Sequence, residues 1–322
     1  MLESYERVFS RLFKRLLPTP VSVECQLLDP EELDAFFTQR DFFPRPDWQA
    51  IADKLRREHS ERWLQAWDDT ARIWLRKLVD HLGEPYQFTA STHFLVLSAL
   101  PDRRTGLLHD ILEHTRRRVT SILDNGDQWK DRGFHVLLLF DDSEALYRYM
   151  SAFGKKESIQ MAGGFVPDYY MHMGMVAQEL WRLEPIIVHE MTHNLLAPSE
   201  LPLWLEEGVC QVMEGMLGFG RGPERDTGVN QRAFWSKHGL QSFWDGSGFS
   251  RTKTSEKAYE LARVLVLVLS ERKRFLAPFV KAARWDDAGF GAAAELGLDL
   301  EEVVKNFLGP GDWRPDFAGL AS

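Results

Sequence analysis

The chain has 322 residues, of which 44% are hydrophobic and 27% charged. This composition is typical of a globular protein with a sizeable core, and it excludes collagen-like, coiled-coil and disordered proteins. Asp and Glu (48) outnumber Lys and Arg (39), giving a formal charge of −9, so we expect no nucleic-acid partner. The two cysteines, Cys25 and Cys210, are far apart, which predicts neither a disulfide framework nor a thiolate zinc site and favours the cytoplasm.

The first 85 residues predict a helical N-terminal region. Apolar residues recur at helical spacing between residues 8 and 17, which indicates an amphipathic helix rather than a signal peptide. We expect this helix to pack on the protein, with docking to a membrane surface or a partner as the alternatives. Residues 47–82 predict further helix, and the spacing of its four tryptophans favours burial in the core over a carbohydrate- or peptide-binding surface.

The next part of the chain predicts a small mixed sheet. Residues 88–100 and 134–140 have strand-like patterns, and they alternate with helical patterns at 106–123 and 143–153. Residues 165–177 follow a Gly163-Gly164 pair, and their pattern predicts a further strand. We expect this strand at an edge of the sheet.

Everything beyond residue 182 predicts helices. Their expected ranges are 183–196, 202–217, 255–272, 275–283 and 300–308. The most apolar run, Val264–Leu269 with its neighbours, is much shorter than the roughly 20 residues that a bilayer requires, so no transmembrane segment is expected. We interpret the Gly-rich residues 218–250 as a long loop, either a functional lid or a disordered excursion.

One pentapeptide points to chemistry: His189-Glu190-Met191-Thr192-His193. Residues four apart lie on the same face of a helix, so both imidazoles can bind one metal ion, and Glu190 beside the first histidine can reach a metal-bound water. Catalytic zinc needs a third protein ligand and an open position, and a carboxylate from a neighbouring helix is a common solution. Downstream, Pro202 suits a helix start, and the carboxylates of Glu206 and Glu207 follow about one turn later.

In these two segments the chain resembles the gluzincins, the zinc metallopeptidases of the peptidase MA clan. That family pairs His-Glu-x-x-His with a later Trp-Leu-x-Glu-Gly on the following helix, and residues 204–208 match the second motif. The resemblance covers roughly residues 163–270. It implies a zincin-like domain over residues 86–322, in which His189, His193 and Glu207 bind Zn2+.

The resemblance also implies roles for residues outside the two motifs. Tyr259 partly matches a family tyrosine that stabilises the oxyanion, and Glu214 matches an acidic position that orients a ligating histidine. The Gly163–Phe165 segment occupies the place of an edge strand that pairs with extended substrate. Alternatives stay open: Gln211 for Glu214, and for the tyrosine role Tyr169, Tyr170, His172 and His238.

The predicted fold class is α+β, with a sheet-containing lobe (residues 86–182) against a mainly helical lobe (183–322) that carries the His-Glu-x-x-His helix. The predicted function is hydrolysis of a peptide or protein substrate by a zinc-bound water that Glu190 activates. Two alternatives remain: a non-catalytic peptide- or protein-binding module on the same scaffold, and a zinc hydrolase of non-peptide amides or esters.

Overall fold

The computed structural model describes residues 24–40, 42–125, 132–153, 162–218, 228–250, 253–272 and 275–320. The amphipathic helix predicted from the apolar residues between positions 8 and 17 lies outside this part of the chain. The fold is mixed α+β, as predicted. It divides into two compact units: unit 1 comprises Met1–Arg118 and Gly126–Asn194, and unit 2 comprises Val119–Asn125 and Leu195–Ser322.

The described part of unit 1 begins with short elements that the sequence patterns did not separate. A 3-10 turn is followed by an antiparallel hairpin of two strands, absent from our prediction. The predicted helix of residues 47–82 is two helices. The ranges are β1 (Phe37–Arg40), β2 (Phe43–Pro46), α1 (Trp48–Glu58) and α2 (Trp63–Leu82). Asp47 caps α1, because its carboxylate accepts the backbone N–H of Ala50 at 3.0 Å.

The predicted mixed sheet is present in unit 1, with five strands in the order β3-β4-β5-β7-β6. The two outer pairs are antiparallel and the three inner strands are parallel. The strands are β3 (Gln87–Ala90), β4 (Phe94–Ser98), β5 (His135–Phe140), β6 (Gly163–Val166) and β7 (His172–Val176). The helices α3 (Asp102–Leu123) and α4 (Ser143–Ser151) flank β5 in the chain. The single strand predicted over residues 165–177 is an antiparallel pair: β6 lies at the edge of the sheet, as expected for Gly163–Phe165, whereas β7 lies between β5 and β6.

Residues on both sides of position 85 contribute to one hydrophobic core in unit 1. Trp48, Trp67 and Trp74 are buried in it, which confirms the predicted core role of these tryptophans. Asp69 is completely buried and holds the beginning of the described chain, because one of its carboxylate oxygens accepts three consecutive backbone N–H groups, from Gln26 to Leu28.

Helix α5 (Leu180–Leu196) carries the His-Glu-x-x-His sequence. It begins three residues earlier than predicted, and Pro185 lies inside it. Its buried face includes Leu183, Ile187 and Met191. The boundary between the two units falls within this helix, after Asn194, whereas the predicted lobes divide at residue 182.

The described regular elements of unit 2 are all helical. They are the end of α3, the last two residues of α5, and α6 (Leu203–Leu217), α7 (Gly228–His238), α8 (Gln241–Trp244), α9 (Ser255–Glu271), α10 (Leu276–Ala282), α11 (Phe290–Glu295) and α12 (Leu300–Leu308). The prediction of a long loop over residues 218–250 is wrong for 228–250. This stretch forms α7, α8 and a 3-10 turn, and it buries Trp235, Phe243 and Trp244 in the core of unit 2.

Among the helices that the structure describes, none combines the length and the apolar character that crossing a bilayer requires.

Candidate metal centre

The two histidines of the candidate site lie on α5. The ring centroids of His189 and His193 are 5.0 Å apart with an interplanar angle of 63°. A ring nitrogen of one lies within 4.8 Å of a ring nitrogen of the other. Because the two residues are one helical turn apart, α5 alone brings them together. Glu190, next to His189, is half-buried.

The edge strand β6 packs against the same helix. The ring of Phe165 is nearly parallel to that of His193, with an interplanar angle of 6° and a centroid distance of 6.3 Å. Two residues earlier on β6, a Cβ atom at Gly163 would lie only 2.6 Å from Cγ2 of Ile186. A side chain at position 163 would therefore push β6 away from α5, and glycine allows the close approach.

A buried hydrogen-bond chain holds the end of α5 within unit 1. Nδ1 of His135 lies 2.7 Å from Oδ1 of Asn194, the residue that follows His193. The Nε–H of Arg116 donates to Nε2 of His135 at 3.3 Å, so the hydrogen of this imidazole is on Nδ1 and is donated to Asn194. Burial, followed by the nearby Arg116 charge, lowers the pKa of His135 to about 3. The neutral ring of His135 thus connects β5 to the last turn of α5 that belongs to unit 1.

The predicted site residues Glu207 and Tyr259 lie in unit 2. Glu207 on α6 is 8% exposed, and the hydroxyl of Tyr259 on α9 donates to its Oε1 at 3.3 Å. Between them, Gly208 allows α6 and α9 to pack closely, since a Cβ atom there would lie 2.6 Å from the carbonyl oxygen of Ala262. The predicted ligand and the predicted oxyanion donor are therefore brought together.

Trp204, the first residue of the second motif, anchors α6 in the core of unit 2. It is completely buried, and its Nε1–H donates to the carbonyl of Ala288 at 3.0 Å. Glu214 is half-buried on α6, two turns beyond Glu207, and its role stays a prediction. Cys210 is completely buried on α6. Zinc also binds thiolates, so α6 carries two buried side chains of zinc-binding type.

Two of the alternatives for the oxyanion role, Tyr170 and His172, lie in the core of unit 1. Tyr170 is buried and its hydroxyl donates to the carbonyl of Phe134 at 3.1 Å. His172 is completely buried between the carbonyl of Tyr170 and the hydroxyl of Tyr149. Neither side chain is accessible to a substrate.

The contacts of Phe165 and His135 with the end of α5 were not found from the sequence. Both join residues that are far apart in the chain, and neither residue lies in a motif. Local periodicity therefore carries no signal for them.

Comparison with models of known protein families gave no match, and comparison with curated proteins gave none. The resemblance to the gluzincins therefore depends on the residues of the two motifs.

Proposed function

We propose that this protein is a zinc-dependent peptidase in which His189, His193 and Glu207 bind the metal ion. The observation that carries the proposal is the pair of imidazoles on one face of α5, with Glu190 beside them. The donor set, two imidazoles and a carboxylate, is one that catalytic zinc sites use. In such a set zinc supplies Lewis acidity, which polarises a scissile carbonyl and lowers the pKa of a coordinated water.

Glu190 acts as the general base and acid. Its carboxylate accepts a proton from the attacking water and transfers it to the nitrogen of the leaving amine. It suits this role because it is half-buried and adjacent to a proposed ligand, without itself being one. A site that only stabilised the fold would need ligands but no such carboxylate.

Tyr259 donates a hydrogen bond to the oxyanion that develops on the scissile carbonyl. Its present bond to Glu207 is long, at 3.3 Å, so the hydroxyl can turn towards a substrate at little cost. The edge strand β6 has backbone groups with which an extended peptide can form a further strand pair. These features favour a peptide over a small ester.

The first test is the metal content of the purified protein. We expect about one zinc per chain, reduced in His193→Ala and in Glu207→Gln, while Cys210→Ser retains it. A native chain without metal after zinc is supplied would contradict the proposal. Zinc lost from Cys210→Ser but kept in Glu207→Gln would instead identify the thiolate as the third ligand.

The second test is cleavage of a peptide library by the zinc-loaded protein. Because general acid–base catalysis contributes roughly 10²- to 10⁴-fold, Glu190→Gln should lower the cleavage rate by that factor and keep its zinc. Unchanged cleavage in this variant would refute the mechanism. Zinc binding without cleavage of any peptide would favour a non-catalytic binding module.

A further inference from the structure

We propose that Phe165 is a positioning residue that fixes the plane of the His193 imidazole. This inference rests on the proposed function, because it concerns a residue that would hold the metal. It assigns to β6 a task besides pairing with a substrate: the strand orients one ligand of the ion.

The contact is a consequence of how two elements of unit 1 pack. Gly163 and Phe165 are two residues apart on β6, so they point to the same face of the strand. Ile186 and His193 are seven residues apart on α5, so they lie on the same face of the helix. Gly163 meets Ile186 and Phe165 meets His193. The small residue brings the strand close, and the large ring fills the remaining gap.

The imidazole ring of His193 contacts two other rings, those of Phe165 and His189. Its backbone belongs to α5, and the next residue, Asn194, is held by His135 at 2.7 Å. Rotation of an imidazole about χ2 is broad in the absence of packing. The nearly parallel ring of Phe165 restricts this rotation, and both side chains are largely buried, at 6% and 9% exposure. A flat ring restrains the plane of the imidazole, whereas a branched aliphatic side chain does not.

The test compares Phe165→Leu and Phe165→Met with the native chain. Each substitution keeps apolar bulk but removes the flat ring. Because groups that orient a ligand change metal affinity by roughly 10- to 100-fold, we expect the dissociation constant for Zn2+ to rise at least about 10-fold. The visible spectrum of the Co2+-loaded protein should also shift, since it reports ligand geometry. Phe165→Tyr, which retains a ring, should restore the native affinity and spectrum.

Phe43→Leu is the matched control. Phe43 is buried in the core of the same unit, against Phe140 and Tyr149, so its loss lowers stability without touching α5. Zinc affinity and the cobalt spectrum should stay native in this variant. Native affinity and spectrum in folded Phe165→Leu and Phe165→Met would overturn the inference and leave the proposed function standing. A native chain that binds neither metal would overturn the proposed function and this inference with it.

Discussion

Acidification should destabilise unit 1 through one buried histidine, His172. Its Nδ1 lies 2.8 Å from the carbonyl oxygen of Tyr170, so Nδ1 carries the hydrogen and donates it. Nε2 therefore accepts from the hydroxyl of Tyr149 at 2.6 Å. The ring is completely buried, and this burial lowers its pKa from 6.5 to about 3. The folded chain consequently keeps His172 neutral at mildly acidic pH.

The size of the effect follows from the two pKa values. Below about pH 6.5 the unfolded chain takes up a proton that the folded chain does not, so stability falls as the pH falls towards 3. Each pH unit in this window costs about 1.4 kcal/mol. Between about pH 7.5 and about pH 5, His172 should therefore lower the free energy of unfolding by about 2 kcal/mol.

Urea unfolding at both pH values, for the native chain and for His172→Gln, measures this contribution. Glutamine has a donor and an acceptor for the same two partners but does not titrate. The native chain should lose about 2 kcal/mol more than the variant between the two pH values. His135, whose pKa is also about 3, affects both proteins equally and cancels.

Tyr149→Phe is the control, because it removes the hydrogen bond to Nε2 but keeps the imidazole buried. This variant should be less stable at both pH values and should retain most of the pH dependence. Equal losses in the native chain and in His172→Gln would refute the reasoning, since the folded protein would then protonate His172 as readily as the unfolded chain.

Four further substitutions have defined expectations. Gly208→Ala places a Cβ atom 2.6 Å from the Ala262 carbonyl oxygen and should cost about 1–3 kcal/mol in the free energy of unfolding. A Cβ atom added at Gly215, on the same helix, would have no atom within 4 Å, so Gly215→Ala should raise the free energy of unfolding by up to about 1 kcal/mol. Equal effects of the two glycine substitutions would contradict the packing argument. Asp69→Asn should lower the free energy of unfolding, measured with urea, by about 3–5 kcal/mol, because it breaks a buried ion pair with Arg72. A loss below about 1 kcal/mol would contradict this expectation. Tyr259→Phe should keep its zinc and lower kcat roughly 10²-fold on a cleaved peptide; an unchanged kcat would remove its proposed role.

The errors in the sequence-based fold have identifiable causes. Residues 88–100 looked like one strand because no glycine or proline interrupts them. In the structure the chain turns between β3 and β4, and Glu113 stabilises this turn. Its carboxylate accepts hydrogen bonds from the hydroxyl of Ser91 and from the backbone N–H of His93. Glu113 lies on α3, distant in sequence, so the residues of the turn themselves carry no signal for it.

The helices of residues 228–250 were missed for a different reason. Their buried residues, among them Trp235, Phe243 and Trp244, are divided among a helix of 11 residues, one of four and a 3-10 turn. In α7 the apolar residues do not recur at helical spacing, and the other two elements are too short to develop the pattern by which a helix is recognised. Helix α12, in contrast, has both Asp299 as its cap and an apolar face, and its predicted range was confirmed.

The sequence by itself determined the local part of the candidate site. A helical run with histidines four residues apart is sufficient to place His189 and His193 on one face, whatever the rest of the fold. The tertiary structure alone decided which groups surround those residues. Phe165 reaches His193 only because β6 is the edge strand beside α5, and Tyr259 reaches Glu207 only because Gly208 lets two helices cross closely. Such contacts join distant parts of the chain, and they depend on packing that no local pattern encodes.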